Sequence, residues 1–125
     1  IASPALQLFY TECYAEFGVI TDSDILDEIF ERAAFFESLI RMHADLSKVT
    51  DDRDDLNNII EAFCLEKQIT HEDKLIIQGG RVFINEIKHI NKKKYKRKFK
   101  TWDDGIIALN MAYDVLEKHD IKFNY

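Results

Sequence analysis

Apolar residues recur along this chain at intervals of three and four, the period of an amphipathic helix. Leu6, Phe9, Tyr10, Cys13 and Phe17 make the first stripe. Ser3-Pro4 ahead of it supplies an N-cap followed by proline at the first helical position, and Gly18 is a natural C-cap. The spacing predicts a helix over 4–17. A second stripe runs through Ile25, Leu26, Ile29, Phe30, Ala33, Phe36, Leu39, Ile40 and Leu46, behind the start signal Thr21-Asp22-Ser23-Asp24. It predicts the longest helix, about 23–48, with an apolar face wide enough for several neighbours. Phe35 and Phe36 are adjacent, and helical neighbours diverge by about 100°, so one of them must face a second interface or solvent.

Thr50 reads as the cap of a third helix, with Asp51, Asp52, Asp54 and Asp55 in its first turn complementing the dipole. Leu56, Ile59, Ile60, Phe63 and Cys64 form its inward face. Thr70-His71-Glu72-Asp73 repeats the Thr-x-x-Asp start, and Leu75, Ile76, Phe83, Ile87 and Ile90 follow at near-helical spacing. Gly79-Gly80 interrupts them, so the segment is a kinked or broken helix, with a small β-hairpin at 75–85 as the alternative. The lack of period-two alternation argues against the hairpin. Thr101-Trp102-Asp103-Asp104 is a further Thr-x-x-Asp start, and Trp102, Ile106, Leu109, Tyr113 and Leu116 trace a last helix over 102–118. The tail 121–125 is apolar enough to pack back or to meet a partner. The expected fold is all-α, a single domain over 1–125 with about five helices in a compact bundle around the long second one.

Length and composition agree. A chain of 125 residues with 46% hydrophobic and 32% charged residues is a globular domain able to hold a core without staples. Four glycines and one proline favour long helices. Cys13 and Cys64 make neither a disulfide framework nor a metal motif, and read as reduced thiols in a reducing compartment. No apolar run spans a bilayer. The start, Ile1-Ala2-Ser3-Pro4, has neither the basic region of a signal peptide nor an initiator Met. A processed product or a piece of a longer protein fits that start, and the expected compartment is the cytoplasm, or the nucleus in a eukaryote.

Charge is where the chain becomes specific. Residues 1–75 carry 17 Asp and Glu against 6 Lys and Arg, while residues 76–125 carry 6 against 11. The excess of bases is concentrated in Lys92, Lys93, Lys94, Tyr95, Lys96, Arg97, Lys98, Phe99 and Lys100. Polyanion binding needs several cations within reach of successive phosphates, and single-strand binders add aromatic platforms on which bases stack. Tyr95, Phe99 and Trp102 lie in and just after this run. The competing structural reading is a solvated segment whose aromatics anchor the core. A basic docking site for an acidic protein is a further alternative. The net charge of −6 excludes a general polyanion binder, so any such contact is local.

The other constellations are weaker. Glu28, Glu31, Asp45, Asp51, Asp52, Asp54, Asp55, Glu61 and Glu66 fall on outer faces of the second and third helices. They would suit an inhibitor or immunity-type protein facing a cationic partner, against the plainer reading of solubilising charge. Arg53 and Leu56 break any calcium-loop pattern. Glu86 and His89 form one Glu-x-x-His pair, whereas bundle di-iron sites need two with further carboxylates. His43 falls near the apolar stripe of the second helix and reads as a core histidine. No catalytic signature, cofactor motif or metal-ligand spacing is present, so the reading leans away from an enzyme. The leading expectation is a binding module that contacts nucleic acid or another polyanion through 92–100, with Tyr95 or Phe99 stacking. The alternative is an acidic helical protein that binds a cationic partner. No membrane contact is expected, and homo-oligomerisation is consistent with the Phe35-Phe36 pair.

Overall fold

The computed structural model describes residues 4–17, 23–44, 55–90 and 96–122. They form five helices: α1 Pro4–Phe17, α2 Ser23–His43, α3 Leu56–Glu66, α4 His71–Lys88 and α5 Trp102–Lys118. No strand occurs among the described residues. The first and last helices have the bounds their stripes predict. The second is the longest and touches every other helix, but it ends at His43 rather than near 48. There the His43 ring meets the carbonyl of Lys122 at 2.8 Å. The third starts later than Thr50 implies. Its cap is Asp55, whose carboxylate accepts the Asn58 N–H at 2.9 Å, while Asp51, Asp52 and Asp54 lie outside the described residues.

Two helix starts are as the sequence predicts. Thr70 caps α4 by accepting the Asp73 N–H, and Thr101 caps α5 by accepting the Asp104 N–H. The ends of α3 and α5 follow one scheme that the sequence did not announce with glycine. Gln68 and Asp120 take left-handed conformations, with φ of 57° and 60°. This lets Ile69 and Ile121 donate back to Cys64 and Leu116 at 2.9 and 2.8 Å and bury their side chains over the helix ends.

The hairpin alternative does not form, and α4 runs unbroken through Gly79-Gly80. The glycines serve packing. A Cβ on Gly80 would sit 2.8 Å from the Ala112 Cβ and 2.9 Å from the Phe36 ring, and one on Gly105 would sit 2.5 Å from the Phe83 ring. Helices α4 and α5 therefore pack closely at these glycines, and theirs is the most extensive helix contact among the described residues. Around it lie the buried rings of Phe9, Phe36, Phe63, Phe83 and Trp102. Trp102 stands edge-on to Phe9 at 5.2 Å and to Phe83 at 6.1 Å. At the α2–α5 seam the Tyr113 hydroxyl donates to the Arg32 carbonyl, and the Arg32 side chain covers the Tyr113 ring and bonds Asn110. Phe36 is fully buried and Phe35 is 52% exposed, which resolves the adjacent pair.

A buried acid joins the two ends of the α4–α5 pair. Asp73 accepts from Lys118 Nζ at 2.9 Å and lies 3.0 Å from His119 Nε2. The hydrogen bond with His119, then that with Lys118, holds its carboxyl below the ordinary 3.8 against the opposing effect of burial. A carboxyl whose folded value is depressed contributes stability that is complete above its unfolded value and is lost as pH falls through the folded one. Urea unfolding followed between about pH 5 and about pH 2 should show this loss, and Asp73→Asn should flatten that part of the profile.

The glycines give a sharper expectation. Gly80→Ala and Gly105→Ala should each destabilise by about 1–3 kcal/mol through overpacking. At Gly79 a Cβ meets only Ala108, at 3.8 Å. Gly79→Ala should therefore stabilise by up to about 1 kcal/mol, because helical alanine is favoured over glycine. Chemical denaturation of the three variants checks the opposite signs.

Candidate functional site

Of the basic run, Lys96, Arg97, Lys98, Phe99 and Lys100 are described, and Lys92, Lys93, Lys94 and Tyr95 lie outside the described residues. The described part is fixed by one side chain from α4. Glu86 is 1% exposed, and its Oε1 accepts the backbone N–H groups of Lys98 and, at 3.0 Å, of Phe99. Its Oε2 receives Arg97 Nε at 3.3 Å. One buried carboxylate thus meets a guanidinium and two backbone donors, the combination that makes a buried charge tolerable.

Arg97 is held from its other side as well. Its guanidinium carbon lies 4.1 Å from the centroid of the Trp102 ring, a cation–π arrangement. Trp102 is buried in the core and Phe99 is partly buried against it. The segment is consequently sorted by position. Phe99 packs against the core and Arg97, though exposed, is turned onto Glu86 and Trp102, while Lys96, Lys98 and Lys100 are exposed and none of these three has an ion-pair partner among the described residues.

The segment leads directly into α5, whose first turn is fully satisfied. Glu16 at the end of α1 accepts the N–H groups of Trp102 and Asp103 at 2.7 and 2.9 Å. With Thr101 on Asp104, the first three donors of the helix have partners. This helix end therefore offers no open anion seat; the exposed cations of the segment without an ion-pair partner among the described residues are the lysines.

Other residues singled out in the sequence are dispersed. Glu86 of the Glu-x-x-His pair is buried and turned to the basic segment. Among the described residues no group of three His, Cys, Asp or Glu side chains is placed to hold a metal. Glu28, Glu31, Asp55, Glu61 and Glu66 are exposed. Glu61 is tied to Lys74 at 2.8 Å, and that hydrogen bond is the main reason its carboxyl lies below its usual value. Cys13 and Cys64 are free and buried. Burial first, then Glu16 and Glu12, pushes the Cys13 thiol up to about 12; burial and Glu61 push Cys64 up to about 11. Both are neutral thiols at pH 7, including Cys64, which lines a groove between α3 and the start of α4. No helix of the described residues is long and apolar enough to cross a membrane.

Sequence reasoning located the basic run but missed its anchor. Glu86 was visible only as half of a Glu-x-x-His pair, and nothing local marks it as the partner of residues 12 and 13 positions on. Removing it exposes the dependence: Glu86→Ala leaves two backbone donors without their partner and should cost about 2–4 kcal/mol. Trypsin cleavage within 96–100 should accelerate in this variant relative to cleavage elsewhere. Comparisons of the chain with protein-family models, with curated proteins and with solved structures find no match, so the functional reading rests on its own residues.

Proposed function

We propose that this protein is a non-enzymatic binding module that docks a polyanion, nucleic acid in the first instance, on the lysines of 92–100. The observation that carries the reading is the division of labour imposed by Glu86. It takes Arg97 and the backbone of Lys98 and Phe99, so the segment keeps its path while Lys96, Lys98 and Lys100 remain exposed. A preorganised row of cations loses less freedom on binding than a mobile one. Phe99 and Trp102 are committed to the core. The contact then depends on phosphate neutralisation by the lysines.

A second reading, an acidic protein that binds a cationic partner, is favoured by a separate observation. Phe35 and Met42 on α2, and Ile107 and Met111 on α5, are exposed apolar side chains. They share their helices with exposed Glu28 and Glu31, and with Asp103, Asp104 and Asp114. Exposed apolar side chains beside acidic ones are the ingredients of a protein interface.

The deciding experiment is a salt titration of binding to labelled single-stranded DNA, duplex DNA and RNA, run beside a Lys96→Gln, Lys98→Gln, Lys100→Gln triple variant. Wild-type affinity should fall steeply with salt. Removing three phosphate contacts should make the log–log slope shallower by about 2 for a single strand. Absence of binding at low salt overturns the polyanion reading and moves the assignment to the acidic helices.

A further inference from the structure

A second cationic feature lies away from the basic run, in a cleft of about 420 Å³ where α2, α4 and the start of α3 converge. Three cations line it: Arg41 from α2, and Arg81 and Lys88 from α4. Their spacing is helical, because 81, 85 and 88 share one face of α4 and bring Asn85 with them. Two carboxylates are also present, and both are already engaged. Glu37 receives Arg41 at 3.1 Å and Lys88 at 3.4 Å. Its partial burial opposes ionisation, but these two cations outweigh it and hold the carboxyl below its usual range. Asp55 is turned onto the Asn58 N–H as the cap of α3.

Arg81 is different. Its Nε donates to Gln78 Oε1 at 2.5 Å, and Gln78 is fixed in turn by Asn57 at 2.9 Å and Glu61 at 3.3 Å. The guanidinium is thus oriented by an amide rather than neutralised by an acid. Neither terminal nitrogen has a partner among the described residues, and Arg81 is only partly exposed. At the same place α3 begins, and the backbone N–H groups of Leu56 and Asn57 have no acceptor among the described residues. Among the described residues that line the cleft, three cations face two carboxylates. Donors are therefore in excess, and acceptors are what a ligand would have to bring.

We propose that this cleft binds a small phosphomonoester, with the Arg81 fork as its principal contact. Donors arriving from three helices suit a tetrahedral oxyanion better than a planar carboxylate. Leu56 is the single apolar residue lining the cleft among the described residues, so the group carrying the phosphate is hydrophilic, of the sugar-phosphate kind, rather than a lipid or an aromatic base. The volume falls in the range of small-molecule sites. This site is independent of the lysines of 96–100 and stands or falls without them.

The test is calorimetric titration of the full chain with inorganic phosphate, glucose 6-phosphate and glucose at constant ionic strength. Glucose 6-phosphate should bind saturably and more tightly than inorganic phosphate, and glucose should not bind. Arg81→Gln should weaken binding by about tenfold or more, since a charge-assisted bidentate contact is lost. Arg81→Lys should not restore it, because a point charge lacks the fork. Asn85→Asp, which leaves Arg81 in place and adds a negative charge, should weaken binding too. Lys98→Gln should leave it unchanged. Failure of glucose 6-phosphate to saturate, equal affinity for inorganic phosphate, or wild-type affinity in Arg81→Gln overturns the proposal.

Discussion

The contact between α4 and α5 is the constraint on which the rest of the molecule depends. Two helices can approach this closely only where side chains are absent, and Gly80 and Gly105 supply the gaps into which Ala112, the Phe36 ring and the Phe83 ring fit. Once the two backbones are together, Phe83 and Trp102 are brought into edge contact, and Phe9 from α1 closes on the far side of Trp102. The position of Trp102 then fixes where the basic segment enters α5. A change of helix spacing here would move the core, the segment and its anchor together.

Three acids tie distant parts of the chain across this frame. Glu86 holds the segment before α5, Glu16 caps α5 from the end of α1, and Asp73 joins the start of α4 to the end of α5. Each meets donors that otherwise lack partners: backbone N–H groups in the first two cases, an ammonium and an imidazole in the third. The acidic half of the sequence is therefore not only a solvated coat. Two of its charges, Glu16 and Asp73, act as internal fasteners, and what they fasten is the basic half.

Much of the architecture was legible because it is local. Thr70 and Thr101 cap as their spacing implies, and the stripes of α1 and α5 give their bounds. Errors arose where a local signal had a distant cause. Gly79-Gly80 resembles a break, yet its reason is Phe36 and Ala112 on other helices. Thr50 resembles a cap, but Asp55 has the carboxylate at the right distance from Asn58. Gln68 and Asp120 end helices without glycine because Ile69 and Ile121 have core to bury into. The site divides in the same way. The lysines were legible as a run, whereas Glu86 and the Arg41–Arg81–Lys88 cleft were not, since each assembles groups that only the helix packing brings together.

The mode of attachment has a bearing on how such a surface could change. Glu86 grips Lys98 and Phe99 through their backbone N–H groups, which every residue except proline possesses. Side-chain identity is demanded only of Arg97 and Phe99. Positions 96, 98 and 100 are therefore a display whose chemistry is uncoupled from its support, much as a binding loop is uncoupled from its scaffold. Variation or design could rewrite the charge and hydrogen-bonding pattern shown there, even reversing its sign, while the fold underneath keeps the same fastening.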